Sequence, residues 1–361
     1  MVVWTTYHHG QAGKKNGKNS DFSCRARLTS LPRRDSLFPE PDVCRGEAGT
    51  VRPEVRRTGP ARPPLRQHLP PAQEGGLSKD PFPGSGTPSG TVAFIAATPE
   101  EAACLQPFLR HPSPLPAPPG MALRRGGVGP FDVLVLTCGV GKVPAAAGTM
   151  YLTERYQPRA LVLIGTAGSL DPRLGIGDLV VADEVLPADV GVIHSQGFGQ
   201  TGPGLCAEGR LLFHNRFPLD GEMVEAAATS ASRAALTCHR GRVITCDQVV
   251  LDPGLRAYLG KTFQALAVEM EGSAVAQVAG GAGIPVAVIR AISDEMEHDF
   301  VGLEEILPYC GESRTDLWAR RYRMLTADGS ILSRAREMRR GTRRALASIG
   351  RFLEAFLPAI T

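Results

Sequence analysis

No two of the eight cysteines in this 361-residue sequence form a CxxC pair, and no histidine spacing completes a zinc-binding pattern. Most of these cysteines lie among apolar or small residues, so we interpret them as reduced structural thiols. No uninterrupted apolar run reaches the roughly 18 residues of a membrane-spanning helix. The N-terminus also lacks the order of charge, apolar run and cleavage site of a signal peptide. These absences predict a cytoplasmic protein with no metal site and no membrane partner.

Excess positive charge is missing from most of the chain. The formal net charge is +4, but residues 1–90 alone hold 14 Lys and Arg against 8 Asp and Glu. The remaining residues hold 26 Lys and Arg against 28 Asp and Glu, so they are slightly acidic. Such a body gives no reason to expect nucleic acid or an anionic membrane as a partner.

Residues 1–90 lack a hydrophobic period of 2 or 3.6 residues and are rich in Pro, Arg, Gly and Ser. A segment of this composition cannot bury enough apolar surface to offset the entropy of ordering, so we predict a disordered extension. An Arg- and Pro-rich tail could bind an acidic partner. We favour a solvated extension, or a stretch upstream of the natural start codon, over that alternative.

From Thr91 onward, strand patterns and helix patterns alternate. The apolar stretch TVAFIAA precedes a helix that opens at Thr98-Pro99, with acids in its first turn. Six further strands are predicted at FDVLVLT, ALVLIGTAGS, GDLVVADEVLP, GRVIT, ALAV and PVAVIRAIS. Continuous apolar strands between helices predict an α/β fold with three αβα layers and a central, largely parallel, twisted mixed sheet. We expect one domain from 91 to 361, which ends in an amphipathic helix near 337–357.

Acidic side chains follow three of these strands, at the edge where ligands collect in such folds. They are Glu101, the pair Glu269 and Glu271, and Asp294. Two acids this close to an apolar strand end cannot both face solvent, so at least one should point inward and need a partner or a ligand. For Glu101 the competing interpretation is a favourable interaction with the helix dipole, and for Asp294 it is a helix cap.

Two glycine-rich turns follow other strands, and neither completes a nucleotide-binding motif. CGVGKV lacks the upstream glycine of a P-loop and has Val143 where Ser or Thr would bind magnesium. GTAGSL lacks the G-x-G-x-x-G spacing of a dinucleotide site. We interpret both as tight turns that pack a helix on the sheet or approach a sugar.

Five segments between Thr91 and about Asp299 resemble the 5'-methylthioadenosine/S-adenosylhomocysteine nucleosidases of the purine nucleoside phosphorylase family. They are VAFIAATPEEAACL, CGVGKVPAAAG, LIGTAGSLDPRLGIGDLVVADE, AVEMEGSAVAQVA and VIRAISDE, in the order of the family. The most specific part is VEMEGSA followed by RAISD. The resemblance implies a nucleoside phosphorylase-like fold, a small nucleoside as substrate, no cofactor, and a homodimer in which a neighbour closes the pocket.

The resemblance also implies a role for each matching residue. Glu101 would activate the attacking water, and Asp294, with Ser293 beside it, would protonate N7 of the purine. Glu271 would bind the ribose hydroxyls. The remaining substrate contacts would be Thr166 and Ala167 beside the ribose and base, Val249 and Val250 at the purine, Glu269 on the base side, Met270 against the sugar and Phe300 on the 5' side.

Breaking an N-glycosidic bond explains why such a site needs acids. The sugar becomes cation-like as the bond breaks, and a carboxylate stabilises it. The purine leaves poorly as an anion, so an acid must supply a proton. We therefore expect a neutral Asp294, favoured by the apolar strand that precedes it.

Positive charge is absent where a phosphorylase would need it. The phosphorylases of the family carry arginines in the first loop and before the third-strand loop, but here these read AATPEEAA and ALVLIGTAGS. This favours water as the nucleophile; Arg290 lies on a later strand and is no obvious substitute. A phosphate-dependent phosphorylase, a futalosine-type hydrolase and a non-catalytic nucleoside-binding homologue stay open. Val249 stands where the family usually offers an aromatic side chain to the purine. An expected insertion near 303–335 leaves the 5' substituent open.

Overall fold

The computed structural model describes residues 90–360 except 196, 208, 299 and 301–328, all within the compact unit Leu77–Thr361. The expected disordered extension and most of the expected insertion near 303–335 therefore lie outside the described residues. Side chains at 197, 207 and 329–332 are likewise not described.

The described chain contains fourteen strands and six α-helices. The strands are β1 (Val92–Ala96), β2 (Arg110–Leu115), β3 (Ala122–Val128), β4 (Phe131–Thr137), β5 (Ala160–Ser169), β6 (Leu179–Pro187), β7 (Gly191–His194), β8 (Gly197–Gln200), β9 (Gly204–Ala207), β10 (Arg210–Phe213), β11 (Phe217–Pro218), β12 (Cys238–Thr245), β13 (Ala265–Glu269) and β14 (Val286–Asp294). The helices are α1 (Pro99–Ala103), α2 (Lys142–Tyr156), α3 (Gly221–Arg233), α4 (Pro253–Phe263), α5 (Gly272–Gly281) and α6 (Gly329–Ile360).

Ten of the strands form one mixed sheet, in the order β11-β6-β12-β13-β5-β1-β4-β3-β2, with β14 paired to both β5 and β6. Neighbours among β4, β1, β5 and β14 are parallel, and so are neighbours among β6, β12 and β13. The antiparallel pairings β14–β6 and β13–β5 close five strands, β5, β14, β6, β12 and β13, into a ring. The predicted mixed sheet is confirmed, and the ring closure brings the ends of its strands together.

Helices cover both faces of the sheet, as the continuous apolar strands predict. In β1, Ala93 and Ile95 pack in the core under α2 and α5. Val92 and Phe94, on the other face of the same strand, pack in the core under α3 and α6. The alternation shows that both faces of the strand are buried, so the three-layer αβα architecture is confirmed.

The start of α1 follows from its sequence. The Thr98 hydroxyl accepts a hydrogen bond from the Glu101 backbone N–H at 3.3 Å, and the Glu101 carboxylate accepts one from the Thr98 backbone N–H at 3.0 Å. This reciprocal capping box, with Pro99 at the first position, fixes the helix directly after β1. The cap also places the carboxylate of Glu101 at the carboxyl edge of the sheet.

The C-terminal helix α6 contains the amphipathic segment expected near 337–357. Its buried face packs Ala345, Ile349, Phe352 and Phe356 against the sheet, and its arginines other than Arg334 are exposed. Ring centroids of Phe352 and Phe356 stand 4.8 Å apart. None of the helices in the described ranges combines the length and apolar content needed to cross a bilayer.

Candidate active site

The carboxyl-terminal ends of β5, β13 and β14 and the segments after β1, β4, β12 and β13 meet around a cavity of about 220 Å³. Every sequence-predicted site residue except Phe300 lies on its wall. The wall consists of Ala97, Thr98, Glu101, Val140, Thr166, Ala167, Gly168, Gln248, Val249, Val250, Arg256, Val268, Glu269, Met270, Glu271, Ser293 and Asp294.

Glu101 is buried and anchored through both carboxylate oxygens. Oε2 accepts hydrogen bonds from the backbone N–H groups of Ala97 and Thr98, at 3.2 and 3.0 Å. Oε1 accepts from the backbone N–H of Thr166 at 2.8 Å and from its hydroxyl at 3.3 Å. The two interpretations of Glu101 are therefore compatible, because the same carboxylate caps α1 and faces the cavity.

Glu269 and Glu271 both point inward and are 5% and 3% exposed. Glu271 Oε1 accepts a hydrogen bond from the Gly141 backbone N–H at 2.9 Å, and Oε2 lies 3.1 Å from Nη2 of Arg290. Burial raises the pKa of Glu271 to about 7, against the opposing effect of the Arg290 charge and with a further rise from Glu269. This carboxyl group therefore changes charge near neutral pH.

The carboxylate of Glu269 is engaged by groups of the protein itself, although the residue lies on the cavity wall. Its carboxylate accepts hydrogen bonds from the backbone N–H groups of Glu271 and Gly272 at the start of α5, from the Thr245 hydroxyl and from Arg290. The carboxylate thereby satisfies free N–H groups at the start of α5, and Arg290 neutralises its charge. The resemblance assigned Glu269 to the base side, but its oxygens are already engaged.

Arg290 is the buried cation of the site, with 1% of the residue exposed. Its guanidinium pairs with both Glu269 and Glu271. Desolvation lowers the pKa of Arg290, but the carboxylates Glu269, Glu271 and Glu101 outweigh it, so its pKa is raised. Arg290 thus offsets the charge of the acid cluster and is not free to bind phosphate.

A glycine-rich turn joins the acid cluster to α2. Gly139 and Gly141 have φ angles of 96° and 102°, which side-chain-bearing residues rarely adopt. The ammonium group of Lys142 pairs with Asp189 and lies 3.3 Å from Asp247 Oδ2. The turn is tight and leads into α2, as one of its two interpretations predicts, and its lysine is paired with acids.

Asp294 stands at the end of β14, where a register shift between Ile292 and Asp294 interrupts the pairing with β5. Bulges of this kind redirect side chains at the end of a strand. The Ser293 hydroxyl lies 2.6 Å from Asp294 Oδ1, and Nη2 of Arg256 lies 2.5 Å from Oδ2. Asp294 caps no helix among the described residues.

A buried guanidinium touches Asp294, which the apolar strand before it did not indicate. Arg256 lies on α4 and is 2% exposed. Helix α4 was not among the predicted helices, although Asp252 and Pro253 carry its start signal: the Asp252 side chain accepts a hydrogen bond from Leu255 N at 2.6 Å. An Asp-Pro step could have located the helix, but nothing local indicates that Arg256 turns inward.

Phe300, expected on the 5' side of the sugar, does not lie on the cavity wall. It is 2% exposed and packs against Leu251, Ala335 and Met338. The Arg256 guanidinium lies over its ring, 5.0 Å from the centroid. Phe300 therefore supports Arg256 from behind, because the aromatic ring is drawn to the buried cation.

The buried cysteines near the cavity are protonated thiols. Desolvation raises the pKa of Cys138 and of Cys246 to about 12 each, with smaller rises from Glu271 and Asp189 respectively. All five cysteines that the structure describes are free. This agrees with reduced structural thiols and excludes these two as nucleophiles at neutral pH.

Comparison with known proteins agrees with this geometry. The profile of the Phosphorylase superfamily matches residues 91–307. A 5'-methylthioadenosine/S-adenosylhomocysteine nucleosidase of Geobacillus thermodenitrificans is 34% identical over 230 residues, which are 63% of this chain and 93% of the relative. The same-named protein of Geobacillus kaustophilus is 35% identical over 202 residues, 55% of this chain and 82% of the relative.

Solved structures share the fold. The nucleosidase of the same name from S. pneumoniae, solved with a transition-state inhibitor, has a TM-score of 0.53 at 27% identity, with 73% of this chain and 99% of that chain covered. The Neisseria meningitidis nucleosidase in complex with methylthio-immucillin-A has a TM-score of 0.56 at 22% identity and covers 74% of this chain and 98% of that chain. By its sequence and its fold, the chain belongs to the phosphorylase superfamily.

Proposed function

We propose that the protein is a purine nucleosidase, which hydrolyses the N-glycosidic bond of a 5'-modified adenosine-type nucleoside to free base and sugar. The observation that carries this proposal is the placement of Glu101, Glu271 and Asp294 on the wall of one cavity. Relatives at 34–35% identity are named as 5'-methylthioadenosine/S-adenosylhomocysteine nucleosidases. The proposal assigns one carboxyl group to each requirement of the reaction.

Asp294 is the proton donor in this proposal. As the C–N bond breaks, its electron pair moves to the purine, and a proton from Asp294 reaches N7, so that the base leaves neutral. The Ser293 hydroxyl, 2.6 Å from Oδ1, orients this oxygen. The Val250 backbone and Val249, which is 57% exposed at the cavity, flank the base.

Glu271 stabilises the sugar. As a carboxylate it accepts hydrogen bonds from ribose hydroxyls and lies near the positive charge that develops on the ring. The Gly141 N–H and Arg290 hold its two oxygens in place. Met270, half-buried on the cavity wall, packs against the sugar, and Thr166 and Ala167 line the loop beside the ribose and base.

Glu101 activates the water. Backbone N–H groups hold both of its oxygens, so the carboxylate is fixed in position before substrate arrives. A fixed carboxylate can take a proton from a water that attacks the sugar from the face opposite the base.

Water is favoured over phosphate because no unpaired cation reaches the cavity from the described residues. Arg256, on its wall, contacts Asp294, and Arg290 behind it is paired with Glu269 and Glu271. Phosphate transfer needs fixed positive charge around the nucleophile. The arrangement supports hydrolysis.

We also infer a homodimer in the cytoplasm. Val143, Ile193 and Phe213 are 78%, 82% and 61% exposed, on α2 and on the hairpins β7–β8 and β9–β10. Large apolar side chains left in solvent support a second copy that covers them. Free cysteines in the described residues support a reducing compartment.

The test is a panel of nucleosides assayed for free base by chromatography. The panel contains 5'-methylthioadenosine, S-adenosylhomocysteine, adenosine, inosine and a futalosine-type nucleoside, each with and without phosphate. We expect adenine from at least one 5'-modified adenosine, at a rate that phosphate does not change. Release of base only from 6-oxopurine nucleosides would select the futalosine-type alternative, and no release from any nucleoside would contradict the proposal.

A further inference from the structure

Arg256 contacts three separate parts of the base side of the cavity with one guanidinium group. Nε donates a hydrogen bond to the Val250 carbonyl at 2.8 Å, and Nη1 donates to the Glu295 carbonyl at 2.9 Å. Nη2 lies 2.5 Å from Asp294 Oδ2. Capping α4 or filling the core requires none of these contacts, so the arginine fits a role at the site.

The contact with Arg256 distinguishes the two oxygens of Asp294. A guanidinium is a cation with only donor groups, so the oxygen that faces it cannot carry a proton. That oxygen, Oδ2, is fully buried and accepts no hydrogen bond from the described residues, so its contact with Arg256 at 2.5 Å is one of charge. Oδ1 lies on the other side, 2.6 Å from the Ser293 hydroxyl, which also lies 3.3 Å from the Ala167 carbonyl. When Ser293 donates to Ala167, its oxygen is free to accept from a protonated Oδ1.

Little space is left for Asp294 to rotate or withdraw. A Cβ on Gly168 would stand 2.9 Å from Asp294 Oδ2 and 3.3 Å from Nη2 of Arg256, so the ion pair lies directly over the bare glycine. The Phe300 ring also packs on the guanidinium, with its centroid 5.0 Å away. The ion pair is therefore confined by both the backbone of β5 and an aromatic ring.

We propose that Arg256 is the positioning residue for the proton donor of the proposed nucleosidase reaction. It holds Oδ2 of Asp294 as the unprotonated oxygen, so that Oδ1 carries the proton. When the Oδ1–H bond breaks and the N7–H bond forms, Asp294 becomes a carboxylate, which Arg256 stabilises by its charge. Because Arg256 also donates a hydrogen bond to the Val250 carbonyl, its guanidinium fixes Asp294 relative to the backbone at the purine edge. This proposal rests on the proposed function.

The first test separates turnover from binding. Arg256→Met should lower kcat by about 10²-fold, within the range of general acid catalysis, and change KM far less. Arg256→Lys keeps a cation and should recover about a tenth to a third of the wild-type kcat, since a lysine cannot make all three contacts. Arg173→Met, which removes an exposed arginine paired with Asp171, is the matched control and should leave kcat unchanged. If Arg256→Met does not fold, Arg256→Lys decides.

The second test asks whether Arg256 acts through Asp294. Adenine affinity is measured by calorimetry for the wild type, Arg256→Lys, Asp294→Asn and the double variant. We expect Arg256→Lys to weaken adenine binding in the wild type and to have no further effect in Asp294→Asn. Equal weakening in both backgrounds, or a wild-type kcat in Arg256→Lys, would overturn the proposal.

The two proposals fail in different ways. A wild type that binds adenine but releases no base from any nucleoside contradicts the proposed function, and the affinity cycle still decides whether Arg256 acts through Asp294. An active wild type whose Arg256 variants keep full kcat overturns the role of Arg256 alone. A wild type that neither binds adenine nor cleaves nucleosides overturns both.

Discussion

Arg290 lies against the bare Cα of Gly165, so closely that a Cβ on this glycine would stand 2.1 Å from Nη1 of the arginine. The same Cβ would lie 2.7 Å from Glu101 Oε1. Glycine at this point in β5 therefore lets one buried cation approach the acid cluster from behind the cavity wall. The register of β14 and β5, which pairs Arg290 with Gly165, produces this contact.

Gly165→Ala should therefore disrupt the contacts of Arg290 and Glu101 with β5. The added methyl group must displace Arg290 or Glu101, and we expect a loss of about 3 kcal/mol in the free energy of unfolding and at least about 10²-fold in kcat. Urea unfolding and nucleoside turnover measure the two effects.

Gly280→Ala is the matched control, because this exposed glycine of α5 has nothing within 4 Å of an added Cβ. It should raise stability by about 0.5–1 kcal/mol, through the better helix propensity of alanine, and leave turnover unchanged. Gly165→Ala at wild-type stability would refute the close contact.

Glu101→Gln should impair both activity and stability. A glutamine can accept hydrogen bonds through only one of its two terminal atoms, so it leaves unpaired either the Thr166 N–H or those of Ala97 and Thr98. We expect a loss of about 1–3 kcal/mol in unfolding free energy. Loss of the water-activating carboxylate should lower kcat by about 10²–10⁴-fold.

Glu100→Gln is the control for this change, because Glu100 is the exposed neighbour in the same helical turn. It should keep wild-type kcat and stability. Equal turnover by Glu101→Gln and the wild type would remove Glu101 from the mechanism.

The charge of Glu271 should set the acidic limb of activity. Burial raises its pKa to about 7. Since the carboxylate form binds the ribose hydroxyls and stabilises the sugar cation, kcat/KM should fall as the pH drops through about 7. Initial rates at low substrate concentration test this. A profile that is flat from about pH 5 to about pH 8 would contradict the assignment.

The same group should make stability depend on pH. Its pKa is about 7 in the folded protein against an ordinary value of 4.5, so between these values the folded state binds more protons than the unfolded state. The free energy of unfolding should therefore fall as the pH rises from about 4.5 to about 7, and this contribution should level off above it.

Glu271→Gln should flatten this dependence, which urea unfolding at about pH 5 and about pH 8 measures. The exposed Glu154→Gln in α2 is the control and should keep the wild-type difference between the two pH values. A wild-type difference in Glu271→Gln would show that another group causes the loss.

Strand-end position was enough to predict much of this site. Glu101, Glu271 and Asp294 follow apolar strands, and in a parallel sheet such ends share one edge. Their convergence was therefore visible in the alternation of strands and helices. The capping box of Thr98 and Glu101 was equally readable, because it is a local interaction over three residues.

The remaining features depend on long-range pairing that no local pattern encodes. Closure of β13 against β5 and of β14 against β6 brings Arg290 to Glu269 and Glu271. The inward turn of Arg256 toward Asp294, 38 residues further along the chain, depends on how α4 packs on the ring. The position of Phe300 depends on the same long-range packing. It was expected in the pocket, but it packs behind Arg256.

Hydrolysis is tested most directly by following the sugar product of 5'-methylthioadenosine in the presence of phosphate. We expect adenine and a free reducing sugar in equal amounts, at the same rate with and without phosphate. Formation of a sugar 1-phosphate together with adenine, and loss of turnover when phosphate is removed, would contradict it.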